Sequence, residues 1–262
     1  MPHTTKLGFM TGMKSEYTVC LIIIGNEILS GRTRDANLQY LADRLNGWGV
    51  RMREARVIPD VESTIVETVN YCRKTFDYVF TTGGIGPTHD DITAASVAKA
   101  FGVGLVKDQK SYDLMAARFD DPADFNEARQ KMCLIPEGAT TIENSVSIAP
   151  GFQMGNVFVL AGVPSIMRAM VDTLRNRLVG GAPVLSRSVG CHLPEGAIAQ
   201  GLSDIQEGWP DLDVGSYPFY KDNRFGTSLV LRGTSDTDLT AAISAVEDLI
   251  LQLGGVPIYE DI

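Results

Sequence analysis

Positive charge is the first thing this sequence is short of. Its 262 residues carry 23 Lys and Arg against 32 Asp and Glu, a net charge of -9. A chain of that sign does not hold nucleic acid through broad backbone contacts, which need basic side chains to neutralise phosphates. A small anionic ligand is compatible with it, because a local nest of amides can oppose the global charge. Cysteine is scarce too. Cys20, Cys72, Cys133 and Cys191 are far apart and show no CxxC spacing, so they read as buried reduced thiols. The three histidines, His3, His89 and His192, form no metal-ligand pattern. No apolar run is long enough to span a membrane. Residues 1–16 lack an apolar core of signal-peptide length, and residues 1–17 read as a flexible leader in which Met10 and Met13 are alternative starts. These absences leave a cytoplasmic globular chain, 44% apolar and 21% charged, of a size for one large domain or a domain with a small appendage.

What is present is an alternation of strand and helix signals. Thr18–Ile24 is a nearly continuous apolar run, as expected of a strand buried on both faces. Leu38, Leu41, Ala42, Leu45 and Trp48 follow at helical spacing. Val50–Ile58 is a second strand, more polar and so nearer an edge. Pro59-Asp60 opens a further helix with Asp60 as its N-cap, and Asp77–Thr82 is a third strand. Helices are expected near 93–101, 109–119 and 124–131, and short strands at 132–135 and 157–160. Pro164 begins another helix. The pattern predicts a doubly wound, mostly parallel α/β sheet over 18–182. Beyond Gly180-Gly181-Ala182-Pro183 it changes, and 183–262 reads as a small α+β subdomain: strands at 186–192, 211–217 and 227–233, helices at 195–206 and 238–253.

Three loops stand between a strand and a helix: 25–31, 81–92 and 162–165. In open parallel sheets such loops share one side and line a ligand crevice. The middle one, Thr81 to Thr93, holds Gly83, Gly84 and Gly86 with Pro87, more glycine than a turn needs. Its amides and the following helix start suit an anion. Thr82 and Thr88 flank that turn. Asp90 and Asp91 would repel bare phosphate. They bind a cation bridging to it, accept hydrogen bonds from a ligand, or cap the helix. Gly25 and Asn26 open the first loop, and Glu27 is either a first-turn carboxylate or a functional one. Asn37 is a solvated amide or a ligand contact. In the third loop, Gly162 with Pro164-Ser165 forms a helix start or an anion seat. His89, without a partner, reads as a surface or supporting residue.

These residues also carry a family resemblance. Gly25-Asn26-Glu27-Ile28-Leu29-Ser30-Gly31 with Asp35 and Asn37, and Thr82-Gly83-Gly84-Ile85-Gly86-Pro87-Thr88-His89-Asp90-Asp91-Ile92-Thr93, resemble motifs of the molybdopterin-binding fold of molybdenum-cofactor biosynthesis. Asn144-Ser145, Ala149-Pro150-Gly151-Phe152 and Gly162-Val163-Pro164-Ser165 match later blocks. The Gly-Pro-Thr-x-Asp-Asp form is similar to the branch of CinA and of the corresponding FAD synthase domain. His89 and Leu212–Pro218 look more like the latter. The resemblance runs from about Val19 to Gly254. It implies a three-layer α/β/α core, a small C-terminal α+β piece, Ser145 near the ligand, and a homo-oligomer. It further implies divalent-metal-dependent hydrolysis of a nucleotide pyrophosphate such as ADP-ribose or FAD, with Mg²⁺, Mn²⁺ or Co²⁺ on Asp90 or Asp91 and Glu27 orienting water. The other activity known in the fold is pterin or nucleotide binding without hydrolysis. Nothing in the sequence resembles the amidohydrolase domain of full CinA or the domain that makes FAD.

Overall fold

The computed structural model describes residues 14, 16–221 and 223–259, and in it the most apolar run is strand β1, Tyr17–Ile24. Its side chains alternate between two cores. Val19, Leu21 and Ile23 pack on one face of the sheet, and Cys20, Ile22 and Ile24 on the other. Each such buried side chain contributes roughly 1.5–3 kcal/mol. The chain continues through α1 (Asn26–Leu29), α2 (Asn37–Gly47), β2 (Val50–Ile58), α3 (Glu62–Thr75), β3 (Tyr78–Thr82) and α4 (Thr93–Phe101). Leu41 and Leu45 of α2 share the first core, whereas Ile65, Val69 and Cys72 of α3 and Val97 of α4 share the second. Helices therefore cover both faces, giving three layers.

A helical insertion follows. β4 (Leu105–Lys107) and β5 (Leu134–Pro136) pair antiparallel and bracket α5 (Gln109–Ala116) and α6 (Glu127–Lys131). Asp108 caps α5 through the Ser111 N–H at 2.8 Å, and Asn126 caps α6 through the Arg129 N–H at 3.1 Å. Then come β6 (Thr140–Ile142), β7 (Gly151–Met154), β8 (Val157–Leu160) and α7 (Pro164–Asp172). Met167, Met170 and Val171 of α7 return to the first core. The main sheet runs β2-β1-β3-β8-β7-β6. The first four strands are parallel, and β7 alone runs the other way, antiparallel to both β8 and β6. The sequence reading missed β4, β6 and β7, which are three or four residues long.

The chain divides into two units at Gly181/Ala182. In the second, β9 (Leu185–Cys191), α8 (Glu195–Gly208), β10 (Asp213–Lys221), β11 (Arg224–Gly233) and α9 (Asp236–Gln252) follow in order. Its sheet is antiparallel, β10-β11-β9. Ile198 and Ile205 of α8 and Leu239, Val246 and Ile250 of α9 form one core with Val189, Leu229 and Leu231.

All four cysteines are buried and unbridged. Cys72 Sγ lies 3.5 Å from Cys20 Sγ, and that contact pushes the Cys20 thiol up; burial pushes Cys133 up to about 11. Most of the expected leader lies outside the described residues. Its last part is tied down: Lys14 pairs with Asp77 at 2.7 Å, Glu16 pairs with Arg53, and Tyr17 is already strand. Asp60 does not cap α3, whose N-cap is Val61. Its carboxylate instead accepts the Asn26 N–H at 2.8 Å.

Candidate functional site

Because β1, β3 and β8 are parallel neighbours, their carboxyl ends lie at one edge of the sheet. From β1 the chain leaves toward β2 on one side, and from β3 it proceeds toward β8 on the other. Strand order thus reverses between β1 and β3, the position at which open α/β sheets leave a crevice. The loops after the three strands meet there. Gly83 makes the meeting close: its φ is +100°, and a Cβ on it would lie 2.1 Å from the Ile24 carbonyl oxygen. Gly162 is held as near, 3.2 Å from a Cβ built on it to Gly83 Cα. Gly84, at φ +68°, leaves room for Thr93, whose N–H donates to Gly84 O at 3.0 Å and whose hydroxyl donates to Gly83 O at 3.0 Å. Side chains at these positions would close the loop on itself.

A cavity of about 800 Å³ opens over this junction. Glu27, Gly83, Gly84, Gly86, Pro87, Asp91, Gly162 and Pro164 line it. The N-terminus of α7 borders it with Val163 as N-cap; Pro164 has no N–H, and the Ile166 and Met167 amides donate to Val163 O at 3.1 and 2.9 Å, which leaves the Ser165 N–H as the first-turn amide without a bond inside the helix. A smaller cavity of about 70 Å³ lies beside it, lined by Asn37 and Thr82 together with Glu27, Gly83, Gly162 and Pro164. Asn37 donates from Nδ2 to Gly162 O at 2.8 Å, which joins the first and third loops. Asn37 Oδ1 and Thr82 Oγ1 are buried with no hydrogen-bond partner among the described residues. Such acceptors are costly unless something donates to them.

The acidic pair is organised by Thr88. Its N–H donates to Asp91 Oδ2 at 2.7 Å, and its hydroxyl oxygen lies 2.5 Å from Asp91 Oδ2 and 2.6 Å from Asp90 Oδ1. One hydroxyl proton serves two carboxylates. The Thr88 hydroxyl and the Asp90 backbone N–H hold the Asp90 carboxyl below the usual carboxylate range. Gly86 leaves the space that Asp91 fills, since a Cβ there would lie 2.7 Å from Asp91 Oδ2. Oxygen-only donors of this kind fit a hard divalent cation. No three His, Cys, Asp or Glu side chains converge on a metal position among the described residues. A cation here would complete its shell with water and ligand oxygens.

Several expected residues stand elsewhere. Asp90 and Thr88 are exposed and outside the cavity lining. Asn26 faces solvent, its N–H taken by Asp60. Gly25 is buried beneath the Glu27 carboxylate. Ser165 is exposed in the first turn of α7 and does not line the cavity. Ser145 is exposed; the Asn144 side chain turns the chain by accepting from Val146 N, Ser147 N and Ser147 Oγ, and this brings Ser147 to the cavity. His89 is 97% exposed, 4.0 Å from Asp90. The sequence reading missed one wall entirely: Met115, Arg118, Phe119, Arg129 and Met132, all from the insertion. No motif marks them.

Strand order, crevice and glycine loop define a doubly wound α/β protein with a small-molecule crevice at its switch point. Residues 20–180 match the model of the probable molybdopterin binding domain, and the chain belongs to that family. Residues 183–254 match the middle domain of FAD synthase. A protein of Archaeoglobus fulgidus is 34% identical over 198 residues, 76% of this chain and 84% of that one. A probable FAD synthase of Caenorhabditis elegans is 31% identical over 280 residues, 95% of this chain but 52% of the relative; the chain spans about half the length of that relative. Among solved structures, the protein CinA of unknown function from Thermoplasma acidophilum is 32% identical with a TM-score of 0.58, covering 63% of this chain and 99% of that one.

Proposed function

We propose that the first unit is a metal-assisted pyrophosphatase for an ADP-containing dinucleotide of the ADP-ribose or FAD type. The observation that carries this reading is the meeting, in one cavity, of the glycine loop and the start of α7 with the Asp91 carboxylate. The amides of Gly84 and Gly86 seat one phosphate, and the start of α7 seats the other. Asp91, with Thr88 and Asp90, offers oxygens to Mg²⁺, Mn²⁺ or Co²⁺. Such a cation, when bound, supplies charge neutralisation at the phosphates and a more acidic water. Glu27 orients the attacking water. That water adds to one phosphorus, the bridging P–O bond breaks, and AMP leaves with a second phosphate monoester. Asn37 Oδ1 and Thr82 Oγ1 accept from ligand hydroxyls, which accounts for two buried oxygens otherwise without donors. The FAD synthase relatives support a nucleotide ligand.

Purified chain incubated with ADP-ribose or FAD and each cation should release AMP, and Asp91→Ala should lower the rate at least about 100-fold. Release no faster than in Asp91→Ala overturns the reading. The absence of a three-residue acid or histidine cluster among the described residues favours a second reading, a pterin or nucleotide carrier without hydrolysis. Asp91 would then accept two hydrogen bonds from a planar ring. Metal-independent heat of binding with a pterin, and no turnover, would select it.

A further inference from the structure

We infer that the insertion between β4 and β5 is a ring-binding wall that selects ligands with a neutral planar ring over a cationic one. The inference rests on the phosphate-seating role given above to the glycine loop and α7. From the insertion, Met115, Met132 and Phe119 line the same large cavity. Two guanidiniums stand in that apolar wall, Arg118 and Arg129. Neither has an acidic partner among the described residues. Arg118 donates to Val146 O at 3.1 Å, and Arg129 donates to Asp124 O. The Arg129 guanidinium carbon lies 4.6 Å from the Phe119 ring centroid, and Phe119 is stacked in turn on Phe125, 5.8 Å away at 16°. A guanidinium is planar, and one placed over a ring that is itself braced by a second ring stacks well on a further π-system. The methionine thioethers beside it are polarisable and adjust to a ring's outline.

Phosphate is the other ligand that two arginines suit. The wall argues for a ring, because Met115, Phe119 and Met132 line the cavity with the guanidiniums and Arg129 already lies over an aromatic ring. Charge sets the second half of the inference. Two guanidiniums without acidic partners stack on the face of a neutral ring and repel a pyridinium. The wall is also tied to the anion loop: Lys131 Nζ, at the end of α6, donates to Thr88 O at 2.8 Å.

Four probes separate the possibilities, each measured by calorimetry on the full chain without added cation. FMN carries a neutral ring, nicotinamide mononucleotide a cationic one, its reduced form the same ring without charge, and ribose 5-phosphate no ring. The unmodified chain should bind FMN and reduced nicotinamide mononucleotide about tenfold more tightly than the other two. Arg129→Gln and Phe119→Leu should shrink that advantage to about twofold while leaving ribose 5-phosphate unchanged, which also reports that the variants are folded. Arg118→Gln should raise the affinity of the cationic ring. Equal loss of ribose 5-phosphate and FMN in Arg129→Gln would assign the arginines to phosphate and overturn the inference, as would equal affinity for the charged and neutral nicotinamides. A failure of AMP release with the ring preference intact would refute the pyrophosphatase alone.

Discussion

The two units solve the same burial problem in opposite ways. In the first, β1 is covered on both faces, and residues 19–22 have no solvent exposure. Parallel strands with crossover helices deliver every βα loop to one edge of the sheet, so loops distant in sequence meet. In the second, an antiparallel hairpin turns back on itself and its loops alternate between the two ends. Phe225 stays 78% exposed at the hairpin tip, beside Tyr220 at 4.7 Å between ring centroids. Parallel topology concentrates chemistry; the hairpin distributes surface.

Substitutions can break this contrast. The largest effect should come from Gly83→Ala, where the left-handed φ and the Ile24 carbonyl both refuse a methyl group. We expect a loss of about 4 kcal/mol in denaturant unfolding of the first unit; a loss under 1 kcal/mol would mean the strand ends are not locked together. Next, Leu21→Ala, in the fully buried strand, should cost about 3 kcal/mol. Tyr217→Ala, on the outer strand β10 and 47% exposed, should stay within about 0.5 kcal/mol. Equal costs would erase the distinction between the sheets.

A smaller effect tests the end of the first sheet opposite the crevice. Asp77 is partly buried, which raises its pKa, but Lys14 and the Thr18 N–H and hydroxyl lower it by more. A depressed folded pKa stabilises above the unfolded value and is lost as pH falls through the folded one. Asp77→Asn should therefore cost about 1 kcal/mol at neutral pH. Its Tm deficit should narrow below about pH 4; a deficit that widens in acid contradicts the assignment. The smallest effect has the opposite sign. Gly196, near the start of α8, faces open space, so Gly196→Ala should raise the stability of the second unit by about 0.5 kcal/mol. Destabilisation would show that its backbone is under a constraint that Gly83, and not Gly196, was assigned.

How much of this was readable in the sequence follows the same line. Strands with long apolar runs, such as 17–24 and 157–160, announce themselves, and so do helices with capped or proline-marked starts. β4 is exposed along its length and three residues long, so no pattern distinguishes it from a loop. Asp60 has good local credentials as a cap, but its partner Asn26 is 34 residues away, and local rules have no access to it. The glycine turn declared itself because backbone conformation is written in residue type. The insertion wall did not, because arginine, methionine and phenylalanine are ordinary on amphipathic helices, and topology alone sets them facing the turn.

Thr88 has one hydrogen to share between two carboxylates that both approach its oxygen within 2.6 Å. That hydrogen points at one of them at a time. On the proposed function, a divalent cation bound beside that hydroxyl would draw both carboxylates to itself and free the hydroxyl from the competition. Were that proposal right, occupancy of the spot and rigidity of residues 86–92 would be one thermodynamic quantity seen twice, and amide exchange across the segment should slow as magnesium is titrated in; unchanged exchange would count against the cation.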